Sequence, residues 1–342
     1  MVRFFGVIYC LFAGSILLGQ DFHFTQYDRS MLLLNPSAAG NFDGFERFSA
    51  QNRNQWIGTG TQFMTSVASA EFTLGKNNFN TSSYTGIAVH FNRDVGGDSR
   101  FGSNAMGATL GGHLVTSRNT KISAGIQSTF TNRSGDLSNL LYYSQWNGST
   151  FDPTVSTNEP NQLARFSFVD AGAGMSFTYS TSGDRVAQMR QRYFNVGVFA
   201  QHLTRPKLRY NEITYDRLYI KFGAHLETEI NVGSGLALEF KSVQMLQGKH
   251  YEGRYGLLFK ILMKQSASIT RLKNDAFMSS GLYVTSNGTL SPTIFFDLGG
   301  FQLGVNYDIE LAKLGRAYRS SIEFSLSYSF TRSSMFKKTK IG

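Results

Sequence analysis

The stretch Ser320–Phe330 reads Ser-Ser-Ile-Glu-Phe-Ser-Leu-Ser-Tyr-Ser-Phe. Its even positions, Ile322 to Phe330, are large and apolar, and its odd positions, Ser321 to Ser329, are polar. Because a β-strand points successive side chains to opposite faces, the stretch has one apolar and one polar face. In an outer-membrane barrel the apolar face meets lipid, the polar face meets the lumen, and aromatic residues mark the interface. The stretch therefore predicts the closing strand of such a barrel.

The composition of the whole chain favours the same fold class. A length of 342 residues fits two soluble domains or one large barrel. Charged residues make up only 16% of the chain, against about a quarter in typical soluble proteins. The mean hydropathy is −0.20, and no apolar run after residue 20 approaches the length of a spanning helix. Strands would therefore have to supply any membrane crossing.

The first twenty residues are predicted to be a secretory signal peptide. Arg3 supplies the positive start, Phe4–Leu18 forms the apolar region, and cleavage is expected next to Gln20. A short transmembrane anchor is the weaker alternative, because the apolar run is short and charged on one side only. Cys10 is the only cysteine and lies inside this segment, so the mature chain is expected to contain no disulfide or reactive thiol.

Beyond residue 45 the alternating pattern recurs along the chain. About fourteen strands are predicted, each close to the length that a tilted membrane-crossing strand needs. The predicted strands are Glu46–Trp56, Gln62–Leu74, Tyr84–Arg93, Asn104–Thr116, Lys121–Thr131, Phe166–Ser180, Tyr193–Leu203, Leu218–Glu229, Leu236–Met245, Gly253–Leu262, Phe277–Thr285, Leu290–Leu298, Phe301–Glu310 and Ser320–Phe330.

The even strand number predicts that the N-terminus and the C-terminus of the barrel both lie on the periplasmic side. The long connections 94–103, 132–165, 204–217 and 311–318 then fall outside the cell, and the short connections 117–119, 230–235 and 299–300 fall inside. The predicted organisation is a signal peptide at 1–20, an N-terminal segment at 21–45, an all-β antiparallel transmembrane barrel at 46–331 and a basic periplasmic tail at 332–342.

The N-terminal segment contains no clear strand but is rich in apolar residues. Its apolar residues include Phe22, Phe24, Tyr27 and the run Met31–Leu34. Left exposed in the periplasm, such a surface invites aggregation. Two hypotheses remain: the segment packs into the inner mouth of the lumen as a plug, or a periplasmic partner covers it.

No motif for catalysis, a metal or a cofactor emerges from the sequence. The six histidines lack ligand spacing, and there is neither a Gly-x-Ser-x-Gly motif nor a phosphate-binding loop. Asp94-Val-Gly-Gly-Asp98 lacks the regular ligands of a calcium loop, so a solvated loop is the better interpretation. The isoelectric point near 9.6 does not indicate nucleic acid, because the charges are scattered and the chain is exported. The basic residues are expected to meet the lumen, lipid headgroups or an acidic partner.

Aromatic residues in the two longest outer connections are the candidate partner-binding residues. They are Tyr142, Tyr143, Trp146 and Phe151 in the first connection, and Tyr210 and Tyr215 in the second. Exposed Tyr and Trp side chains make good anchors at protein interfaces. The alternative is that the first connection folds back and covers the lumen.

Three N-terminal motifs carry a resemblance to a known family. They are Phe24-Thr-Gln26, Asn35-Pro36-Ser-Ala-Ala-Gly40 and Arg53-Asn-Gln55-Trp56. Together they resemble the start of the PorP/SprF family of outer-membrane proteins, which is associated with type IX secretion and gliding in Bacteroidetes-type bacteria. The strands Val169–Gly174 and Phe324–Phe330 are similar to later parts of the family, whereas the basic extension after Phe330 is a departure.

The resemblance implies a function that the strand pattern does not provide. It implies a non-enzymatic barrel that retains or helps export a secreted surface adhesin by binding its C-terminal sorting domain. It also implies a possible periplasmic partner from the secretion machinery and a plugged lumen. The barrel pattern alone would instead favour a porin-like channel for small solutes, and an outer-membrane lipid hydrolase is a third, weaker reading.

Overall fold

The computed structural model describes most of the chain after the predicted signal peptide. The described residues are 23–57, 62–76, 83–97, 99–135, 140–156, 165–182, 190–209, 216–233, 235–264, 275–311, 320–331 and 334–336. The predicted signal peptide and most of the predicted tail lie outside them.

Fourteen antiparallel strands form a closed barrel, which confirms the predicted fold class. They are β1 (Glu46–Gln55), β2 (Phe63–Leu74), β3 (Tyr84–Gly96), β4 (Phe101–Val115), β5 (Thr120–Ser134), β6 (Phe166–Ser182), β7 (Arg190–Gln201), β10 (Lys221–Gly233), β11 (Leu236–Gln247), β12 (His250–Lys264), β13 (Ala276–Thr285), β14 (Thr289–Leu298), β15 (Phe301–Glu310) and β16 (Ser320–Ser329). A small ribbon of β8 (Lys207–Leu208) and β9 (Asp216–Arg217) lies in the connection between β7 and β10.

The predicted outer connection 94–103 is shorter than expected. β3 continues to Gly96 and β4 begins at Phe101, because Asp94, Val95 and Gly96 pair with the start of β4. Three glycines and two aspartates between residues 94 and 103 suggest a loop by composition, but the backbone hydrogen bonds of the ladder outweigh that local preference. The barrel wall is therefore taller here than predicted.

β1 and β16 pair and close the barrel, with Ser49 opposite Ser327. The two predicted faces of β16 are present: Phe324, Leu326 and Tyr328 are 44%, 45% and 45% exposed, while Glu323 is fully buried. The exposed apolar residues form the belt that faces lipid in a membrane barrel. None of the described helices is long and apolar enough to span a membrane.

Two ends of the barrel can be distinguished by their connections. The long-loop end carries the connections β5–β6 and β7–β10, and the short-turn end carries the turns 116–119 and 299–300. Residues 23–41 occupy the lumen between these ends and are called the lumen segment. The lumen segment contains the short helical turns Tyr27–Ser30, Met31–Leu34 and Pro36–Ala38.

The apolar core of the molecule lies inside the barrel, around the lumen segment. Tyr27 and Met31 pack with residues from five strands in one buried cluster, whose remaining members are Phe199, Val243, Met245, Leu258, Tyr283 and Phe295. Tyr27 and Tyr283 meet edge to face with ring centroids 6.1 Å apart. This burial explains why a segment with no strand pattern is so apolar, since its side chains replace water in the lumen.

Candidate functional site in the barrel lumen

Glu323 of β16 anchors the first part of the lumen segment. Its two carboxylate oxygens accept hydrogen bonds from the backbone N–H groups of Thr25 at 2.8 Å and Gln26 at 2.9 Å. Gln51 of β1 donates to the same carboxylate at 2.6 Å and to the Gln26 carbonyl at 3.2 Å. The two buried N–H donors of the segment thus find their acceptors on Glu323, which fixes the segment against the seam between β1 and β16.

Asp308 of β15 provides a second anchor beside the first. Its carboxylate accepts from the Thr25 hydroxyl at 3.0 Å and from Arg53 Nη2 at 2.9 Å. Arg53 also donates from Nη1 to the carbonyl of His23 at 2.6 Å. The Gln26 side chain completes the network by donating to Asn306 Oδ1 at 2.7 Å. The seam of the barrel is thus bridged from inside by the lumen segment.

Asp28 holds the middle of the segment through a buried charge pair. Its carboxylate accepts from Lys241 Nζ at 2.7 Å and from the Tyr283 hydroxyl at 2.9 Å. Burial raises the pKa of Asp28, but the cations Lys241 and Arg29 outweigh burial and hold that pKa below its ordinary value. Asp28 is therefore ionised and paired inside the lumen.

Glycines form a trough in the wall where the second half of the segment lies. Gly86, Gly111, Gly125 and Gly174 are direct cross-strand neighbours on β3, β4, β5 and β6. A Cβ atom at Gly125 would lie 2.3 Å from the Pro36 carbonyl oxygen, and one at Gly86 would lie 2.0 Å from that of Ala39. Any side chain at these positions would displace the backbone of the lumen segment, so the trough requires glycine.

Polar contacts hold the Asn35–Gly40 motif in this trough. Asn35 Nδ2 donates to the Met175 carbonyl at 3.3 Å, while its Oδ1 accepts from Ser37 N at 3.0 Å. The Ala39 carbonyl lies 2.7 Å from Nε2 of His113. Gly40 has a φ of +79°, a conformation that favours glycine, and its turn directs the chain toward β1.

The structure brings most of the predicted family motif into one place. Phe24, Gln26, Asn35, Pro36 and Gly40 all lie in the lumen segment, and Arg53 reaches it from β1. Gln55 and Trp56 do not join them: Gln55 is the last residue of β1, and the ring of Trp56, directly after it, packs edge to face on Phe63 at 5.0 Å.

The position of the lumen segment differs from the predicted plug at the inner mouth. His23 lies near the long-loop end, where its carbonyl meets Arg53, and the segment crosses the lumen before Phe45 joins β16 at the short-turn end. Sequence analysis missed the partners Glu323, Asp308 and Gln51. In the sequence, each of these residues is a charged or amide residue on the polar face of a strand. That pattern does not identify the hydrogen-bond partner of the residue.

An open chamber remains above the lumen segment at the long-loop end. Its volume is about 660 Å³. The wall combines aromatic residues with charged residues, among them Phe63, Phe101, Phe168, Tyr219, Asp170 and His202, and Phe24 and Tyr27 of the lumen segment form part of its lining. The chamber thus opens toward the long loops.

The candidate aromatic residues of the first long connection stand outside this chamber. Tyr143 is 89% exposed, and the Trp146 and Phe151 rings pack together at 4.9 Å across a tight turn. Tyr142 is half-buried, and none of the four lines the chamber. Tyr210 and Tyr215 lie outside the described residues. The loop thus presents an apolar surface in its described part.

The buried charges of Glu323, Asp308 and Asp28 are each paired with protein groups. Within the described ranges, no group of three or more His, Cys, Asp or Glu side chains could hold a metal ion. The contacts that these three carboxylates make are hydrogen bonds and charge pairs.

One family of known proteins matches most of the chain. A family model described as "Type IX secretion system membrane protein PorP/SprF" matches residues 16–328. No curated protein matches the chain. The match to the family model spans the lumen segment, the trough and almost all of the closing strand.

Solved structures with similarity to the chain include several barrels. A Pseudomonas aeruginosa FadL homologue aligns with 12% identity and a TM-score of 0.48, covering 88% of this chain and 94% of that one. The Pseudomonas putida toluene transporter TodX aligns with 9% identity and a TM-score of 0.49, covering 88% and 93%. The β domain of the Bordetella autotransporter BrkA aligns with 11% identity and a TM-score of 0.43, covering 85% and 100%.

Proposed function

The chain belongs to the PorP/SprF family of type IX secretion system membrane proteins, and from this premise we propose that it is a non-enzymatic anchor for a secreted protein. It is an integral outer-membrane barrel, as the closed sheet and its apolar outer belt require. In this proposal the barrel retains or helps export a surface adhesin by binding its C-terminal sorting domain. The long-loop end faces the cell exterior.

The filled lumen is the observation that carries the proposal. A barrel of this strand number is wide enough to hold a water-filled channel when it is empty. Here the lumen segment fills the middle of the barrel and is fixed by buried contacts with Glu323, Asp308 and Lys241. A porin-like role needs an open path, whereas an anchor needs a rigid base. The filled lumen supports the anchor.

The long-loop end offers the surface that such an anchor needs. The exposed rings of Tyr143, Trp146 and Phe151 provide large rigid side chains, which dominate binding at protein interfaces. The chamber beside them, closed below by the lumen segment, would receive an extended part of the partner. Tyr142, Tyr210 and Tyr215 complete the proposed contact set, and a component of the secretion machinery would meet the opposite end.

Surface retention of the secreted adhesin tests this proposal. Replacing Tyr143 and Trp146 with Ser is expected to shift the adhesin from the cell surface to the medium, measured by immunoblotting of both fractions. Replacing exposed Thr150 and Val155 of the same loop with Ser and Thr provides the matched control. Unchanged retention in the aromatic variant, with normal barrel levels, would contradict binding by this loop.

Planar-bilayer conductance distinguishes the anchor from a porin-like channel. The intact protein is expected to give no steady open channel, because the lumen segment occupies the lumen. A steady large conductance from the intact protein would instead favour diffusion of small solutes and would overturn the anchor proposal.

A further inference from the structure

Cations gather where the chain leaves the lumen at the short-turn end. Arg190 at the start of β7 forms an ion pair with Asp43, and Arg47 of β1 pairs with Glu71 at 2.6 Å. Lys76 and Lys121 lie beside these pairs but form no ion pair within the described part of the chain. Among the described residues, Asp43 is the carboxylate whose charge acts on both Lys76 and Lys121, and it already pairs with Arg190.

Both unpaired lysines are held in place by one aromatic ring. Lys121 Nζ donates to the Tyr84 hydroxyl at 3.0 Å, and the ammonium groups of Lys76 and Lys121 lie 5.1 Å and 5.6 Å from the centre of the Tyr84 ring. Lys76 also donates to the carbonyl of Phe42. The ring and the carbonyl thus position two like charges side by side, an arrangement that favours an anion between them.

These groups face the aqueous mouth of the barrel and not the lipid. Tyr84 is only 8% exposed and stacks on His113 inside the lumen at 4.4 Å, whereas Ile87 on the opposite face of β3 belongs to the exposed apolar belt. An anionic lipid headgroup would approach from the outer face. A ligand for the two lysines therefore comes from the solvent at the short-turn end.

The nature of the anion follows from Asp43. Arg190 binds the carboxylate of Asp43, and the Asp43 side chain is 81% exposed. The cations therefore already hold one carboxylate on their solvent side, and they can accept another there. Coulomb attraction from Arg190 lowers the pKa of Asp43, and burial lowers the pKa of Lys76 to about 8 while Asp43 opposes this decrease. Within the described ranges, neither lysine forms an ion pair that would balance its charge.

We propose that Lys76 and Lys121 form a carboxylate-binding site that takes an acidic segment of a partner protein at the short-turn end. Lysine suits this role because its flexible point charge accepts carboxylates in many geometries. Neighbouring carboxylates of one segment would engage both ammonium groups, while Asp43 competes for the same cations. The site deepens the proposed function, in which a component of the secretion machinery meets this end, and it does not depend on the partner at the long-loop end.

Binding of an acidic peptide to the full-length barrel tests this site. The barrel is placed in nanodiscs of zwitterionic lipid, and fluorescein-labelled hexaglutamate is titrated with fluorescence anisotropy as the readout, with hexaglutamine as the neutral probe. Hexaglutamate is expected to bind more tightly than hexaglutamine, and added salt is expected to weaken it. The double variant K76Q/K121Q should bind on the order of tenfold more weakly.

Two further variants separate binding from folding. K249Q/R100Q removes two exposed cations at the long-loop end and should leave affinity unchanged. Asp43→Asn removes the competing carboxylate and should increase affinity, an effect that simple destabilisation does not produce. The proposal is overturned by equal affinity for hexaglutamate and hexaglutamine, by unchanged binding in a folded K76Q/K121Q barrel, or by inorganic phosphate competing as strongly as the acidic peptide.

Discussion

Glu323 joins two parts of the chain that are almost 300 residues apart in sequence. Its carboxylate receives two consecutive backbone N–H groups, from Thr25 and Gln26, inside the barrel. Glu323→Ala is expected to leave both donors buried without a partner, at about 1–3 kcal/mol for each group. The result should be a lower thermal unfolding midpoint and faster trypsin cleavage after Arg29. Both are measured by gel electrophoresis of heated and protease-treated samples.

Ser329→Ala is the matched control for this prediction. Ser329 faces the lumen on the same strand and is 8% exposed, but it lies opposite Arg47 at the short-turn end of β16, six residues from Glu323. The variant should keep the wild-type midpoint and cleavage rate. If Glu323→Ala also keeps Arg29 protected, the carboxylate does not hold the segment and the hydrophobic cluster around Tyr27 does so alone.

The position of Glu323 could be predicted from the sequence, but its hydrogen-bond partners could not. The side of β16 on which Glu323 lies could be predicted, because alternation alone decides it. The role of Glu323 could not, because its donors lie in a segment with no regular pattern and are brought close only when the barrel closes. The aromatic and Asn-Pro motifs marked the segment as structured, but its path through the lumen depends on those distant contacts.

At the scale of elements, the glycine trough couples four strands to the lumen segment. Gly125→Ala is expected to destabilise the barrel by about 1–3 kcal/mol, because the new methyl group meets the Pro36 backbone and the segment must shift. Denaturant unfolding in detergent measures the change. Gly112→Ala is the control, since a Cβ at Gly112 on the adjacent strand meets no atom within 4 Å. Equal stability of the two variants would show that the segment yields easily.

The two faces of β16 give a second prediction at this scale. Leu326→Arg places a charge against lipid near the membrane centre, where it costs roughly 2–4 kcal/mol. Assembled barrel in outer-membrane fractions should therefore decrease. Ser327→Arg points into the lumen next to Gln302 and should be tolerated better. Similar loss in both variants would contradict the assignment of the faces.

Strand prediction succeeded and failed for identifiable reasons. Strands such as β15 and β16 alternate cleanly, so their limits were predicted almost to the residue. β3 and β4 extend past their predicted limits, because cross-strand pairing through Gly96 and Gly102 overrides a loop-like composition. The ribbon β8–β9 was missed, since two-residue strands carry no periodicity. The glycines of β3–β6 give no signal in the alternating pattern, yet the lumen segment packs against them.

At the scale of the whole molecule, the barrel has a defined orientation to test. Strand parity predicts that the long-loop end lies outside the cell. An epitope tag inserted after Gly148, in the exposed turn of the first long connection, should label on intact cells. A tag in the turn 299–300 should label only after permeabilisation. The reverse labelling pattern would invert the orientation and place the aromatic loop in the periplasm.

The lumen segment decides whether the whole molecule acts as a channel or as a sealed scaffold. Deleting residues 24–38 removes the buried Tyr27 and Met31 from the core cluster and empties the trough, while Asn41–Phe45 still leads into β1. The emptied lumen of a barrel of this width should conduct ions steadily in planar bilayers, where the intact protein should not.

Deleting the exposed turn 147–150 provides a control that leaves the lumen filled, and heat-modifiable mobility on gels verifies that each barrel has assembled. An assembled but sealed deletion variant would show that another part of the protein closes the lumen, and the buried contacts of Glu323, Asp308 and Asp28 would then serve stability alone.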